Sequence, residues 1–287
     1  MANGNDSPLK RTWIRLLKNK PAVVSLVIIC IAIVLSIIGP VIAPDKTPDA
    51  DDQVLELANE NPGFSVKMLL VQKNREEAKK SLLSNFFLGK ENQNEMIPIV
   101  SYAFDTNGNI AYKTYEGEGR NAQKKVLPIV DVCEALSITH PKITLNGDNA
   151  TYTNFQEQTK TVSISALKQQ IEKNRIVTKR YFLGTDGYGR DILSRLLFGV
   201  RVSMSVGLVA VLISLTIGIF MGSIAGYFRG TTDNIIMWLI NVIWAIPTIL
   251  LAMAIRFAIG DKIPSFLAIF IAVGLSMWVD TARIVRG

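Results

Sequence analysis

The sequence predicts an α-helical, polytopic membrane protein that carries an inserted extracytoplasmic α+β domain. Two observations lead to this prediction. Long uncharged apolar runs lie toward both ends of the chain, and a charged, turn-rich block lies between them. The average composition hides this division, because hydrophobic residues make up 49% and charged residues 19% of the 287 residues, which is ordinary for a soluble protein.

Four stretches of the chain contain no charged residue, and their lengths suit a membrane crossing. A helix needs about 20 apolar residues to cross the hydrocarbon core, with roughly 17 as the lower limit. The four stretches have 24, 27, 22 and 17 residues. Buried helices of a large soluble core are the alternative, but such helices are shorter and carry polar residues along one face. We therefore expect four transmembrane helices, at roughly 21–43, 203–227, 234–255 and 264–279.

The distribution of charge predicts the orientation of these helices. Residues 45–200 contain 20 basic and 20 acidic residues, whereas the rest of the chain contains 11 basic and 4 acidic ones. Basic residues next to a membrane span are retained in the cytoplasm, so this excess indicates a membrane protein rather than one that binds nucleic acid. The N-terminus and Gly287 should be cytoplasmic, although Arg256 and Lys262 do not fit. The basic residues just before the first span are Lys10, Arg11, Arg15, Lys18 and Lys20.

Three regions follow from these patterns. Residues 1–44 hold the cytoplasmic N-terminus and the first transmembrane helix, residues 45–180 form the extracytoplasmic α+β domain, and residues 181–287 hold the remaining helices. In the α+β domain, two Asn-Gly pairs, beginning at Asn107 and Asn146, predict tight hairpin turns. Strands are expected at 64–71, 97–104, 110–115 and 161–164, and helices at 75–88 and at 165–174, the latter capped by Ser165.

Two features of the predicted membrane helices concern packing and shape. Gly218, Gly222 and Gly226 recur every four residues and therefore share one helix face. Small residues allow close approach of helices in lipid, so these glycines predict a packing groove. Pro247 lies inside the third predicted helix and should kink it, because proline lacks the backbone donor.

A glycine-rich segment precedes the second predicted membrane helix. It reads Leu183-Gly-Thr-Asp-Gly-Tyr-Gly-Arg-Asp-Ile-Leu-Ser-Arg195. Its glycines permit tight turns, and Thr185 or Asp186 is suited to cap the helix that follows. The amphipathic stretch 190–201 is typical of a helix that lies at the membrane interface before the span begins.

This segment resembles the L-G-T-D-x-x-G-R-D-x-x-S-R signature of permease subunits in dipeptide/oligopeptide ABC importers. The resemblance continues through residues 199–203, 245–248 and 278–287, and residues 10–44 look like the N-terminal segment of that family. The positions that match the signature are Leu183, Gly184, Thr185, Asp186, Gly189, Arg190, Asp191, Ser194 and Arg195.

The resemblance implies a type I permease fold in the cytoplasmic (inner) membrane. Such a subunit forms half of a translocation pathway that works by alternating access. Arg283 and Arg286 would begin the cytoplasmic coupling region. Members of the family continue into a coupling loop and further spans, so the chain is expected to be C-terminally incomplete. The implied partners are a second permease, two ATP-binding cassette subunits, an extracytoplasmic substrate-binding protein and membrane lipid.

Two other classes of function remain open from the residues alone. The chain could be a membrane-anchored receptor or assembly factor whose extracytoplasmic domain binds a partner protein, or it could be a membrane enzyme. The sequence shows no nucleophile–base pairing, no metal-binding cluster and no G-x-x-x-x-G-K-[ST] loop. We therefore expect a transport subunit that is not an enzyme, with no catalytic residues, metal or cofactor. Peptides are the implied substrates, with nickel or another small solute as alternatives, and no substrate-binding residue can be named.

Overall fold

The computed structural model of the chain describes residues 8–75, 89–117, 121–137, 142–263 and 265–287. The chain forms two compact units, one made of Met1–Ser36 and Gly199–Gly287 and the other of Ile37–Phe198. In chain order the elements are α1 (Pro8–Lys18), α2 (Lys20–Ile42), β1 (Phe64–Gln72), β2 (Asn94–Phe104), β3 (Asn109–Thr114), β4 (Lys124–Pro128), α3 (Ile129–Cys133), β5 (Ile143–Asn146), β6 (Asn149–Thr153), β7 (Thr159–Ser163), α4 (Ile164–Gln170), β8 (Ile176–Tyr181), α5 (Ile192–Phe228), α6 (Gly230–Trp244), α7 (Thr248–Ile259) and α8 (Ser265–Arg286).

The described part of the chain contains three helices that are long and apolar enough to cross a membrane. They are α2, α5 and residues 267–286 of α8, and the count rises to four if the bent pair α6 and α7 forms one span. These helices correspond to the four predicted spans, which supports the prediction of a polytopic helical membrane protein.

Two predicted helices differ from the observed ones. The amphipathic stretch 190–201 was expected to be a separate interfacial helix, but α5 runs without interruption from Ile192 to Phe228. No proline lies in this stretch, so nothing forces the chain to leave the helix. The third predicted span is broken rather than kinked, because α6 and α7 meet at 98°.

The second unit contains two antiparallel sheets. A five-stranded sheet has the order β4-β3-β2-β1-β8, and a three-stranded sheet has the order β5-β6-β7. Both predicted turns occur, but the turn between β2 and β3 spans residues 105–108 rather than Asn107-Gly108 alone. The turn between β5 and β6 is Gly147-Asp148, because Asn146 ends β5 and pairs with Asn149. The predicted helix at 75–88 lies almost entirely outside the described residues.

The inner strand β1 is covered on both faces. Leu69 belongs to a core cluster that also contains buried side chains of α3 and α4. Val66 and Met68, which point to the opposite face because side chains alternate along a strand, pack with Val54 and Leu57. The segment between α2 and β1 is therefore part of the folded core of this unit.

The cap of α4 also differs from the prediction. Ser163 rather than Ser165 is the N-cap, and its Oγ accepts a hydrogen bond from the backbone N–H of Ala166 at 3.2 Å. Ser165 instead donates through its Oγ to the carboxylate of Asp148. Both serines suit a cap by type, and both also donate to the Asp148 carboxylate; α4 begins at Ile164, which places Ser163 at the N-cap position.

Candidate functional site

The signature segment (residues 183–195) contains two glycines that no other residue could replace without displacing its neighbours. Gly184 and Gly189 have φ angles of +77° and +72°, a conformation that glycine adopts readily and other residues rarely. A Cβ on Gly184 would lie 2.2 Å from the carbonyl oxygen of Glu60, and one on Gly189 would lie 1.7 Å from that of Val54. The signature segment is thus pressed against the backbone of residues 54–60.

Thr185 joins the signature segment to the same stretch of backbone. Its Oγ1 accepts a hydrogen bond from the N–H of Glu60 at 2.8 Å and donates to the carbonyl oxygen of Leu57. Asp186 accepts hydrogen bonds from the backbone N–H groups of Tyr188 and Arg190 at 2.9 and 3.1 Å. Neither residue caps α5, contrary to the sequence-based expectation, because both side chains are engaged within the loop.

Asp191 provides the cap of α5. Its Oδ2 accepts hydrogen bonds from the backbone N–H of Ser194, at 2.9 Å, and from the Ser194 hydroxyl. The Ser194 oxygen in turn accepts a hydrogen bond from the backbone N–H of Asp45 at 2.9 Å. Asp191 and Ser194 are 1% and 0% exposed. The end of α2 and the start of α5 are therefore joined through a buried polar contact.

Arg190 forms ion pairs at the surface of this assembly. Its guanidinium lies 2.8 Å from carboxylate oxygens of both Asp186 and Asp51. The hydrogen bond from Arg190 lowers the pKa of Asp51 below its usual range. Burial alone would raise the pKa of Asp186, but hydrogen bonds from Arg190 and from two backbone N–H groups outweigh it and lower the pKa. Arg195 stands farther off, 3.8 Å from each carboxylate.

The glycine face of α5 lies against α8. A Cβ on Gly218 would lie 2.5 Å from Cβ of Thr281, and one on Gly222 would lie 2.5 Å from the carbonyl oxygen of Ala282. At Gly226 the corresponding distance to the carbonyl oxygen of Arg286 is 3.3 Å. The three glycines thus bring the two helices into backbone contact, which is the role of small residues in membrane helix pairs.

A cavity of about 380 Å³ accompanies the break between α6 and α7. Pro247 directly precedes α7 and lies at the break, where the sequence analysis places a kink. Trp244 and Asp280 line the cavity, and the indole N–H of Trp244 donates a hydrogen bond to Asp280 Oδ1 at 3.1 Å. The break therefore places a carboxylate and an indole beside interrupted backbone. Within a membrane, non-helical backbone is tolerated where it lines a cavity.

The last turn of α8 is held by two arginines. Arg286 Nε donates to Asp233 Oδ1 at 2.9 Å. Arg283 donates to the side-chain oxygen of Asn241 at 3.2 Å, and its guanidinium lies 4.1 Å from the ring centroid of Trp244. Both residues of the expected coupling region thus hold α8 against α6.

The structure brings most of the signature residues together, but sequence reasoning missed their partners. Leu183 is 40% exposed and makes none of these contacts. Asp45, Asp51 and Glu60 lie 149, 139 and 125 residues from the side chains that they contact. Their acidic character after the first span was a visible signal, but no local pattern links residues so far apart.

The described residues offer contacts that hold helices and loops rather than a reactive centre. Within the described ranges, no group of three or more His, Cys, Asp or Glu side chains is arranged to hold a metal ion. Most polar groups of the signature segment are engaged in hydrogen bonds to the backbone and in ion pairs, but Asp191 Oδ1 is buried without a hydrogen-bond partner in the described part of the chain. The fold and these contacts define a multi-pass helical membrane protein with a rigid loop before its longest helix.

Parts of the chain are similar to known transport permeases. A family model described as the N-terminal TM domain of oligopeptide transport permease C matches residues 7–62. The oligopeptide permease OppC and the dipeptide permease DppC of Bacillus subtilis are each 36% identical, over 110 and 124 residues. The glutathione permease GsiD of Pectobacterium atrosepticum is 40% identical over 107 residues. Over these stretches the chain is therefore similar to permeases of oligopeptide, dipeptide and glutathione transport systems.

The similarity covers part of each protein. The three alignments span 38%, 43% and 37% of this chain, and 35%, 38% and 35% of the relatives. The chain thus matches a little over a third of the length of these relatives.

Proposed function

We propose that the chain is the transmembrane permease subunit of an ATP-driven ABC importer for peptides. The observation that carries this proposal is the 36–40% identity to three proteins that are named as oligopeptide, dipeptide and glutathione permeases. A receptor or assembly factor would have no reason to share this identity. The chain would form half of the translocation pathway, and a second permease would supply the other half.

The contacts of the helical unit support a role in alternating access. Backbone contact along Gly218, Gly222 and Gly226 makes α5 and α8 one body. The break at Pro247 leaves a cavity beside this pair. A body that moves as a whole suits a mechanism in which closure of two ATP-binding cassette subunits rotates the permeases between inward and outward states. Arg283 and Arg286, at the end of α8, would begin the region that transmits this closure.

Uptake in proteoliposomes tests the function. The chain is reconstituted with its companion permease, ATP-binding subunits and binding protein, with ATP inside, and accumulation of a labelled dipeptide is measured. We expect accumulation that requires both the chain and ATP hydrolysis, with a non-hydrolysable ATP analogue as the control. Uptake that is equal without the chain would contradict the proposal. Transport of nickel but not of peptide would support the assignment as a permease and contradict the assignment of peptide as the substrate.

We further propose that the N-terminus is cytoplasmic and that residues 45–180 are extracytoplasmic. The support is the cluster of basic residues before α2. Single cysteines at Asn3, Asn107 and Gly287, in a Cys30→Ser background, test this by labelling intact cells with an impermeant maleimide. Buried Cys133 should contribute little, because burial raises the pKa of its thiol to about 11 and so removes the reactive thiolate.

Labelling at each cysteine tests a different part of the predicted topology. We expect labelling at Asn107 and protection at Asn3, and the reverse would overturn the orientation. Gly287 reports on the bent pair α6 and α7. If that pair is one span, Gly287 lies on the same side as Asn3. If the pair enters and leaves by one face, three spans remain and Gly287 is labelled from the outside.

A further inference from the structure

The helix α1 has two distinct faces. At about 100° per residue, Arg11, Arg15 and Lys18 fall within about 60° of one another. The apolar positions lie on the opposite side of the helix, in an arc of about 160° that only Lys10 interrupts. They are Leu9, Trp13, Ile14, Leu16 and Leu17.

The sequence separates α1 from the membrane helix that follows it. Pro21 has no N–H, so the helical hydrogen bond to the carbonyl of Leu17 cannot form, which favours the observed break between α1 and α2. Asn19 lies between the two helices, and its Oδ1 accepts a hydrogen bond from the N–H of Ala22 at 3.4 Å, which caps α2. The two helices are therefore distinct elements joined by one residue, and α1 is free to take its own direction.

The apolar face of α1 is exposed. Trp13, Ile14 and Leu17 are 55%, 40% and 61% exposed. None of the buried clusters among the described residues includes a side chain of α1. An isolated helix of 11 residues is marginal in water, so this helix requires a surface that covers its apolar side.

We propose that α1 lies in the headgroup layer of the bilayer and that its basic face binds anionic phospholipid headgroups. The position follows from continuity, because α2 enters the membrane at Lys20, two residues after α1 ends. The lipid class follows from charge. Arg15 and Lys18 are exposed on the polar face, no acidic residue occurs in α1, and Lys20 follows after Asn19. A tryptophan on the apolar side is typical of helices at this depth.

Charge should set the strength of this contact. Each cation near an anionic membrane surface contributes about a fivefold factor to binding. Neutralising Arg15 should therefore lower the ratio of docked to undocked α1 about fivefold in anionic bilayers, and should change little in zwitterionic ones. The contact concerns the leaflet at which α2 begins, whichever side of the membrane that is.

Spin labels on the two faces of the full chain test the proposal. Cysteines replace Leu17 on the apolar face and, in a second protein, Lys18 on the polar face, both in a Cys30→Ser background. The chain is reconstituted in bilayers of phosphatidylcholine alone or mixed with phosphatidylglycerol, and collision with oxygen and with a water-soluble nickel chelate is measured. We expect the label at Leu17 to be shielded from the chelate and the label at Lys18 to be accessible to it.

The lipid dependence tests the headgroup contact. The docked fraction at Leu17 should rise when phosphatidylglycerol is added. Arg15→Gln should reduce that rise, and Arg15→Lys, which keeps the charge, should preserve it. Lys124→Gln, on β4 of the other unit, is the control and should have no effect. Chelate access at both labels would place α1 in water, and shielding at both would place it against protein. Equal docking in both bilayers would exclude binding to anionic headgroups, and each of these results would overturn the proposal.

Discussion

Gly189 shows how strictly a single residue is constrained in the signature segment. Its positive φ and the carbonyl oxygen of Val54 each exclude a side chain. Gly189→Ala should destabilise the unit Ile37–Phe198 by about 3 kcal/mol or more, since backbone strain and overpacking each cost roughly 1–3 kcal/mol. Thermal unfolding of the purified protein in detergent measures this loss.

Gly187 provides the matched control. It lies in the same loop without a positive φ, and a Cβ there would meet only Asn59 Oδ1, at 3.9 Å. Gly187→Ala should leave the unfolding temperature nearly unchanged. Equal stability of the two alanine variants would mean that the signature segment does not press on residues 54–60.

Arg190 should make the stability of this unit depend on pH. The pKa values of Asp51 and Asp186 are lowered in the folded state. Their contribution is present above the unfolded pKa of about 4 and is lost as the pH falls through the folded values. Arg190→Gln should therefore destabilise the protein at neutral pH, and its difference from the wild type should shrink below about pH 4. Lys124→Gln serves as the control for loss of one positive charge.

A pH titration of the unfolding temperature checks this expectation. A constant difference between the wild type and Arg190→Gln across the acid range would show that Arg190 acts through packing rather than through its ion pairs. The titration of Asp52 does not affect the comparison between the wild type and Arg190→Gln. Burial raises the pKa of this residue, but the effect is present in both proteins and cancels in the difference.

At the scale of residues, the sequence identifies the signature positions more reliably than it predicts the contacts that their side chains make. The signature positions could be identified from their pattern, and glycine at tight turns follows from backbone sterics. The helix cap could not be assigned among Thr185, Asp186 and Asp191, because all three are good capping types. The choice depends on Leu57 and Glu60, which engage Thr185 from a distant part of the chain.

At the scale of elements, the pairing of α5 with α8 depends on the absence of side chains at three positions. Gly222→Leu should cost on the order of 1–3 kcal/mol by overpacking, because Ala282 and Val285 already occupy the space. Thermal unfolding and the yield of assembled complex measure the effect. Gly207→Leu is the control in the same helix, because a Cβ at Gly207 would meet nothing within 4 Å.

If Gly222→Leu and Gly207→Leu behave alike, the glycine face does not determine this packing. Sequence periodicity predicts the face correctly, since residues four apart align on a helix. It does not identify α8 as the partner, and it misses Gly274, where a Cβ would lie 2.8 Å from Ile213. A single glycine in an apolar helix carries no periodic signal.

Four of the eight described strands, β1, β2, β3 and β7, were predicted, whereas β4, β5, β6 and β8 were missed. The β2–β3 hairpin follows from alternation on both sides of Asn107-Gly108, which is local information. The 98° bend between α6 and α7 could not be anticipated from Pro247 alone. A proline removes one hydrogen bond and permits a break. The angle between α6 and α7 at this break depends on how α7 packs against α8.

At the scale of the molecule, we expect the conformation of the signature segment to depend on only one part of the α+β unit. Residues 45–63 hold the signature segment through Asp51, Leu57 and Glu60. β1 and β8 pair antiparallel, with Leu69 opposite Ile176. Replacing Leu70–Arg175 by Asn-Gly would therefore close a two-residue hairpin in the existing register.

This variant should insert into the membrane and keep the signature segment resistant to protease. A larger deletion, Pro48–Val177 with a Gly/Ser linker, removes Asp51, Val54, Leu57 and Glu60 and should leave the signature segment sensitive. Limited proteolysis at equal expression compares the two. Equal sensitivity of both variants would mean that residues 48–69 and 176–177 do not support the signature segment.

The edges of the five-stranded sheet have a consequence for association between copies of the protein. The outer strands are β4 and β8. β4 carries Lys124, Lys125 and Pro128, and β8 carries Lys179 and Arg180. Positive charge and proline discourage an incoming strand, because like charges would face each other and one donor is missing. Crowded copies of this unit should therefore resist edge-to-edge aggregation while a newly made chain waits for its membrane partners.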